Sequence, residues 1–345
     1  MAIEWQILGQ AGADNALFVT IDTGQSRESL LFDCGESCLR ELRTSSIQSI
    51  EHLFFSHFHM DHVCGFDTFF RHNYNRPDSP VHVWGPPGTI EILWHRFRGF
   101  RWNLHCDQPG EWVVREVSDT EVNTARFYTR EAFAEKHPLP AQSLPSPIAH
   151  HSASLRSASW HGETKLLPHG SIPSLSYRIV EVPRQNINPG ALQEIDLVPG
   201  PWMKGLIDPE VPGETEILTA GGTLSLAELR NRLLTETPGE SLAYLTDFRV
   251  EPGTREWDDL VSWLRGTTTM VCECQYRSDD APLARKNGHM SADLVGRLAA
   301  EAKVGKLVLQ HLSRRYSSAD WSALVAETAA LFPATTIPPE WTFDL

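Results

Sequence analysis

The chain has 345 residues, of which 41% are hydrophobic and 21% charged, and this composition excludes a disordered protein. The formal net charge of -14 argues against a protein that binds long nucleic acids over its whole surface, because that affinity depends on Lys and Arg. No apolar run approaches the ~18 residues of a membrane helix, and residues 1–5 lack a secretory pattern, so we expect a cytoplasmic protein without a membrane segment.

The first fifty residues predict antiparallel strands punctuated by Gly and Asp. These strands are predicted at 5–8, 16–22 and 29–32, and a short helical segment is predicted at 38–43. A buried strand then follows at residues 53–55. The chain therefore begins as a sheet that leads into the segment described next.

Four metal-binding side chains follow the apolar run 53–55: His57, His59, Asp61 and His62. Divalent ions such as Zn²⁺ accept imidazole and carboxylate ligands together. While the chain stays extended, His57 and His59 point the same way and can reach one metal, and a turn toward a helix then aims Asp61 and His62 at a second. The alternative is a histidine-rich loop without metal, but the spacing favours a two-metal hydrolase.

The remainder of the chain alternates strands and helices around two irregular segments. Residues 141–168, rich in Ser, Pro and His, predict a loop insertion or lid, and the Pro- and Gly-rich residues 183–213 predict an excursion from the core. Strands are predicted at 81–84, 170–181, 241–245, 270–274 and 306–310, and helices at 65–71, 88–97, 225–235, 257–264 and 291–302. Cys272 and Cys274 are badly spaced for a zinc site, so we expect buried free thiols.

Two further ligand candidates stand just past apolar strands. Asp247 follows the strand at 241–245, and His311 follows the strand at 306–310. Alone, each is more typical of a residue that hydrogen-bonds at a strand end. Together with the histidine-rich segment, they supply the additional ligands that a dinuclear site needs.

Taken in chain order, these motifs resemble the metallo-β-lactamase superfamily, and within it they are most similar to the ribonuclease Z family. The residues that carry the resemblance are His57, His59, Asp61 and His62, then His169, Asp247, Glu273, His289 with Ser291, and His311 through Tyr316. The resemblance implies an α+β fold, a four-layer αββα sandwich with the site at one edge. It also implies a single domain over residues 1–345 that removes the 3′ trailer from precursor tRNA.

The resemblance implies a role for each position. Two divalent ions are expected, Zn²⁺ first and Mn²⁺ or Fe as alternatives, with a hydroxide between them that attacks phosphorus. The implied ligands are His57, His59 and His169 for one ion, Asp61, His62 and His311 for the other, and Asp247 between both. Asp61 also accepts a proton from the nucleophile.

Four more positions gain roles from the same resemblance. His289 is expected to protonate the leaving 3′ oxygen, and Glu273 is expected to orient it. Ser313 and Arg315, beside the last ligand, are expected phosphate contacts. The family resemblance also suggests a homodimer.

The substrate has a competing interpretation. Residues 183–213 stand where the family carries its tRNA-gripping arm, yet Arg184 and Lys204 face five carboxylates from 194 to 214. An acidic arm is poorly suited to an RNA backbone. The alternatives are a hydrolase of a small anionic ester, such as a cyclic nucleotide or a sulfate ester, and a metal-binding protein that has lost catalysis.

Overall fold

The computed structural model describes most of the chain, in the ranges 3–22, 26–144, 155, 157–194, 199–208, 210–219 and 222–341. The chain divides into two compact units: unit 1 contains Met1–Val180 and Glu240–Leu345, and unit 2 contains Glu181–Gly239. Among the described residues, no helix combines the length and the apolar character that crossing a membrane requires.

The strands are numbered along the chain. In the first half of unit 1 they are β1 (Ile3–Leu8), β2 (Ala16–Asp22), β3 (Arg27–Phe32), β4 (Ile50–Phe54), β5 (Val81–Gly85), β6 (Glu111–Val117), β7 (Glu121–Tyr128) and β8 (His137–Ser143). The later strands are β9 (Trp160–His169), β10 (Ile172–Glu181), β11 (Arg184–Ile187), β12 (Glu216–Thr219), β13 (Gly222–Ser225), β14 (Leu234–Thr237), β15 (Ser241–Leu245), β16 (Thr269–Glu273), β17 (Lys306–Gln310) and β18 (Thr335–Thr336).

The α-helices are numbered in the same way. Those before unit 2 are α1 (Thr44–Ser49), α2 (Met60–Val63), α3 (Phe66–Asn73) and α4 (Thr89–Phe97). Unit 2 contains α5 (Pro189–Glu194), α6 (Met203–Ile207) and α7 (Leu226–Leu233). The last helices are α8 (Arg255–Leu264), α9 (Ala281–Asn287), α10 (Ala292–Ala302) and α11 (Ser318–Leu331).

The first sheet runs in chain order from β1 to β8. Its first three strands are antiparallel, as the sequence predicts, and β3 to β6 are parallel. Successive side chains of a strand point to opposite faces, so Leu30 and Phe32 enter the core between the sheets while Leu31 packs under the helices. The sheet is therefore buried on both faces at strand β3.

The second sheet has the order β18-β17-β16-β15-β10-β9. Strands β15 to β18 are parallel, and β10 runs antiparallel to β15. The two sheets face each other through aromatic rings: the Phe32 centroid lies 5.7 Å from that of Tyr177 and 5.5 Å from that of Tyr244. These three fully buried rings join the two inner layers.

Helices cover the outer face of each sheet. Phe66 and Phe70 of α3 and Phe97 of α4 pack into the core beneath the first sheet. Trp257 of α8 and Leu298 of α10 are buried in the core that contains the second sheet. The layers confirm the predicted four-layer αββα sandwich of an α+β protein.

Strand β9 corrects part of the predicted loop insertion at 141–168. Trp160 and Leu167 of this strand are buried in the core between the sheets, and the Trp160 indole N–H donates to the Glu28 carboxylate at 2.8 Å. The buried polar residues Glu163 and Thr164 interrupt the apolar pattern that marks a strand. Residues 145–154 and 156 of the predicted loop lie outside the described residues.

Unit 2 includes the predicted excursion at 183–213 and continues to Gly239. It contains two short antiparallel ribbons, β11 with β14 and β12 with β13, and a small apolar core of its own. That core is formed by Leu192, Leu206, Leu226, Leu229 and Leu233. Between residues 181 and 239 the sequence carries nine carboxylates against four Lys and Arg, so unit 2 is acidic.

Candidate metal centre

The candidate site lies at the carboxyl ends of the central strands. In sheets with parallel strands, ligands commonly bind at this edge. Asp247 follows β15 and His311 follows β17, and both have left-handed backbone, with φ of 49° and 52°. That conformation is uncommon for a residue with a side chain and is typical of functional positions. It turns the backbone sharply at the end of each of these two strands.

Three imidazoles converge on one carboxylate oxygen. The Nε2 atoms of His57, His62 and His169 lie 3.6, 3.5 and 3.7 Å from Asp247 Oδ2. His59 joins this group through its Nδ1 atom, 2.9 Å from His57 Nε2. The structure therefore brings four of the sequence-predicted ligands to the Asp247 side chain.

The remaining predicted ligands gather beside them. Asp61 Oδ2 lies 3.6 Å from His62 Nε2 and 3.5 Å from His311 Nε2, and His311 Nδ1 lies 3.2 Å from Asp247 Oδ1. Ligand atoms in each of two groups lie within 4.8 Å of one another: His57, His59, His169 and Asp247 in one, and Asp61, His62 and His311 in the other. All seven predicted ligands thus surround a common space.

The hydrogen bonds of the rings test whether this set fits metal ions. The Nδ1 atoms of His62 and His169 lie 2.8 Å from Asp33 Oδ2 and 2.9 Å from the Gly288 carbonyl oxygen, so each must carry a proton that it donates. Their Nε2 lone pairs are then free for a ligand bond. His62 Nε2 is buried and has no hydrogen-bond partner among the described residues, as expected of an atom that binds a cation. The donor set therefore fits divalent metal ions.

Asp33 is a buried carboxylate that hydrogen-bonds to the metal-ligand candidates and their neighbours, and it was not predicted from the sequence. Besides His62, its carboxylate accepts hydrogen bonds from the Ser56 backbone N–H and hydroxyl, both at 2.7 Å, and from the Tyr244 hydroxyl at 2.9 Å. Ser56 Oγ in turn lies 3.0 Å from His57 Nδ1. One buried carboxylate thus orients two metal-ligand candidates, and its place after the apolar strand β3 is the signal that could have revealed it.

The electrostatics of the cluster favour a neutral His57 ring beside an ionised Asp247 carboxylate. Burial and the neighbouring His62 lower the pKa of His57 to about 2. Burial opposes ionisation of Asp247, but His311 and His62 hold its pKa well below the usual value. Burial likewise acts against the charged form of His62, while Asp247 and Asp33 raise its pKa. The negative charge of Asp247 and Asp33, which stabilises a proton on His62, would also stabilise a metal cation.

His289 and Glu273 form the predicted pair next to these ligands. His289 Nδ1 lies 3.0 Å from Glu273 Oε2, and the other carboxylate oxygen accepts the Phe248 backbone N–H at 2.7 Å. Burial lowers the proton affinity of His289, but the Glu273 carboxylate outweighs it and raises the pKa to about 9. The ring therefore carries a proton at neutral pH, as a general acid must.

A cleft of about 940 Å³ opens at the cluster. His59, Asp61 and His311 line it together with Ser313. The structure does not bring Arg315 to this cleft: its guanidinium lies over the Tyr276 ring at 5.7 Å.

The cleft also contains residues that were not predicted from the sequence. Arg314 rather than Arg315 lines it, and Asp14 and Glu36 contribute carboxylates. Sequence alone gives no signal that separates Arg314 from its neighbour, because both lie in the turn after β17.

The cysteines are all free, and they differ in exposure. Cys272 and Cys274 are buried thiols, as predicted, and burial raises the pKa of both. Cys64 lines the cleft and Cys106 lies in the loop after α4, and both are exposed.

A four-layer sandwich with this cluster at its sheet edge defines a metal-dependent hydrolase of the metallo-β-lactamase fold. Over 335 residues the chain is 40% identical to a protein of Deinococcus radiodurans called Ribonuclease Z, and the match covers 97% of each chain. The chain therefore belongs to the ribonuclease Z family, which confirms the resemblance predicted from its motifs. A second Ribonuclease Z, from Bradyrhizobium, is 26% identical and matches 91% of this chain and 89% of the relative.

Solved structures agree with this fold. The short form of human tRNase Z superposes with a TM-score of 0.55 at 18% identity, over 90% of this chain and 93% of that one. The metallo-beta-lactamase fold protein YhfI from Bacillus subtilis superposes with a TM-score of 0.54 at 14% identity, over 96% and 95%. A family model described as Anti-Pycsar protein Apyc1 matches residues 11–103, which include the histidine-rich segment.

Proposed function

We propose that the chain is an endoribonuclease that cuts precursor tRNA and releases the 3′ trailer. One observation carries this proposal: the hydrogen-bonded His289 and Glu273 pair stands beside the converged ligands, in a chain 40% identical to a Ribonuclease Z over almost its full length. A binding protein would not need a protonated imidazole next to its metal ligands. The pair supports catalysis over a sensor role.

The proposed cofactor is a pair of divalent ions, Zn²⁺ with Mn²⁺ or Fe as the alternatives. The residues that would hold them are His57, His59 and His169 for one ion, Asp61, His62 and His311 for the other, and Asp247 for both. When bound, such ions supply Lewis-acid charge at the phosphate and lower the pKa of water. The Nε2 atoms of His57, His62 and His169 are already aimed at Asp247 Oδ2.

Asp61 is proposed to assist the attacking water. Burial opposes its ionisation, but the hydrogen bond with His311 lowers the pKa of the carboxyl below its usual range. Its side chain is 45% exposed and lines the cleft, so the ionised oxygen can accept a hydrogen bond from water next to the scissile phosphate.

His289 is proposed to act on the other side of the phosphorus. Water adds to phosphorus and gives one proton to the Asp61 carboxylate, the bond from phosphorus to the 3′ oxygen breaks, and the protonated ring donates its proton to that oxygen. The products are a tRNA with a 3′ hydroxyl and a trailer with a 5′ phosphate. Glu273 keeps the ring protonated and oriented, and Ser313 is proposed to hold a phosphate oxygen. Arg315 would have to leave the Tyr276 ring to do the same.

Cleavage of a precursor tRNA with a 3′ trailer tests the proposal. The protein is assayed with Zn²⁺ or Mn²⁺, with a chelator as control, and in parallel on a small phosphodiester and a cyclic nucleotide. Trailer release that the chelator abolishes supports the proposal. Hydrolysis of the small esters without trailer release would overturn the tRNA assignment and favour a small anionic ester as substrate.

The assembly of the protein is also proposed. Residues 1–345 would form a single domain, in which unit 1 carries the catalytic site and unit 2 is an arm, and the protein would be a cytoplasmic homodimer. Family resemblance supports the dimer. Light scattering on the purified protein tests it, and a mass of one chain at micromolar concentration would contradict it.

A further inference from the structure

A basic and aromatic segment stands out in this acidic chain. Residues 92–106 contain three Arg, two Trp and two Phe and no carboxylate, although the whole chain has a net charge of -14. The segment comprises the end of α4 and the loop that follows it. The proposed catalytic steps use none of these residues.

The loop closes an aromatic pocket against α3. Phe70, Tyr74, Phe100 and Trp102 line this pocket, which has a volume of about 440 Å³. The Tyr74 and Trp102 centroids lie 5.7 Å apart, and the Phe70 and Phe100 rings stack at 5.8 Å. The Trp102 indole N–H is held by the Phe97 carbonyl oxygen at 3.1 Å, whereas Phe100 is 45% exposed. The pocket thus has an exposed ring, Phe100, beside a ring whose position a hydrogen bond fixes, Trp102.

Unpaired cations border this pocket. Arg71 lines it, and the exposed Arg101 stands between two of its aromatic residues in sequence. In the described part of the chain neither guanidinium makes a hydrogen bond or an ion pair. The carboxylate in the pocket wall, Asp67, is paired with Arg96 at 3.0 Å. The free charge at this surface is therefore positive.

One helical track joins the pocket to the metal cleft. Met60 and Cys64 line the cleft, and Thr68 and Arg71 line the aromatic pocket. All four are exposed, and Cys64 and Gly65 keep right-handed helical dihedral angles in the turn between α2 and α3. From Cys64 to Arg71 the rise is roughly 10 Å at 1.5 Å per residue. A strand of nucleic acid with its phosphate in the cleft could follow this track to the pocket.

We propose that the aromatic pocket binds a base of the single-stranded 3′ trailer, stacked on Phe100, with Arg71 and Arg101 against the flanking phosphates. This proposal rests on the proposed function. Aromatic side chains bind single strands because an unstacked base offers a face to the ring, and Arg neutralises the backbone beside it. A protein segment would satisfy the rings but would leave both guanidinium groups without partners.

Trailer length provides the test. Precursor tRNAs with a single trailer nucleotide and with a longer trailer are compared in wild type and in Phe100→Ala, with metal content and circular dichroism as checks of the fold. Wild type should cleave the longer trailer with the higher kcat/KM, and Phe100→Ala should reduce that advantage on the order of tenfold. The matched control is Leu104→Ala, which removes an exposed apolar side chain of the same loop that does not line the pocket.

Abasic nucleotides and salt separate the two parts of the proposal. In wild type, a long trailer with abasic nucleotides should lose the higher kcat/KM that the intact long trailer has over a single nucleotide. In Phe100→Ala, the same loss of bases should change kcat/KM little. Arg71→Ala and Arg101→Ala should each reduce the salt dependence of KM by about one phosphate contact. Arg265→Ala should not, because this exposed residue follows α8 and lines neither the cleft nor the pocket. Wild type that releases trailers while Phe100→Ala keeps the full length dependence would overturn this inference and leave the proposed function intact.

Discussion

Asp33 shows how much of the site depends on a residue outside the ligand set. It is fully buried, has left-handed backbone with φ of 56°, and accepts hydrogen bonds from Ser56 and Tyr244 as well as contacting His62. Tyr244 belongs to the second sheet, so a single carboxylate links the sheets behind the metal ligands. Carboxylates in this position make the ligand imidazole more basic and fix its orientation.

Asp33→Asn should therefore weaken metal binding. The amide keeps the shape of the side chain but removes the charge that faces His62, and we expect metal affinity to fall roughly 10- to 100-fold. Competition with a chromogenic chelator measures the affinity. Asp119→Asn, at an exposed turn, is the control, and an unchanged affinity in Asp33→Asn would contradict the role assigned to Asp33.

His289→Ala should separate catalysis from metal binding. The variant keeps every proposed ligand, so its metal content should match wild type, while kcat should fall roughly 10²- to 10⁴-fold through loss of the general acid. The control is His95→Ala, whose side chain is 68% exposed on α4. A kcat equal to that of wild type in His289→Ala would show that His289 is not the general acid.

The pH profile reports on the same pair. The acid must be protonated, so activity should fall as pH rises through the pKa of His289, which Glu273 raises to about 9 against burial. Glu273→Gln removes that charge and lowers the pKa, so the alkaline limb of kcat should move to lower pH. A limb at the same pH in both proteins would assign it to another group.

At the scale of elements, the strand ends decide which parts of the site the sequence can predict. Strands β15 and β17 have the predicted bounds, because each is a short apolar run, and Asp247 and His311 stand out just beyond them. His169 ends β9, whose interrupted apolar pattern hides the strand. Glu273 looks like any carboxylate at a strand end, and only tertiary contacts with Phe248 and His289 distinguish it.

Two other features depend on tertiary context in the same way. Strand β8 is exposed along most of its length and carries no apolar alternation that predicts it. The pocket and cleft surfaces join residues that are far apart in sequence. The histidine-rich segment and the two strand-end ligands can be predicted from residue patterns alone. The assignment of ligands to each ion could be predicted only from the family resemblance.

Gly65→Ala should damage the junction between α2 and β3. The Gly65 N–H donates to the Cys34 carbonyl oxygen at 2.8 Å, and a Cβ there would stand 2.3 Å from the Gly35 carbonyl oxygen. The clash should lower the free energy of unfolding by roughly 1–3 kcal/mol and shift Asp61 and His62. Denaturant unfolding measures the loss. Gly205→Ala, whose Cβ would meet only side-chain atoms of Leu226 and Val211 at ordinary contact distances of 3.7 to 3.9 Å, should change stability much less.

For the whole molecule, the ends of unit 2 are anchored on one strand pair. Val180 of β10 pairs with Ser241 of β15, so in the sequence unit 2 is an insertion between two paired strands of unit 1. Joining these strands by an Asn-Gly turn should restore an ordinary hairpin. Unit 1 without unit 2 should therefore fold and hydrolyse a small phosphodiester.

The same deletion tests the acidic arm. Unit 2 has more than twice as many carboxylates as cations. Its removal should therefore change the slope of log KM for precursor tRNA against log salt concentration by less than the value of one phosphate contact, which is about 0.7 to 0.9. Circular dichroism and metal content verify the fold. A larger loss of slope would mean that the few cations of unit 2 contact RNA directly.

The uneven exposure of the thiols makes the native chain ready for spectroscopic labelling. Maleimide dyes should couple to Cys64 and Cys106 and spare the four buried cysteines, without any engineered substitution. One dye would stand at the mouth of the cleft and the other on the aromatic loop. Slower labelling of Cys64 in the presence of RNA would then report a strand that occupies the cleft.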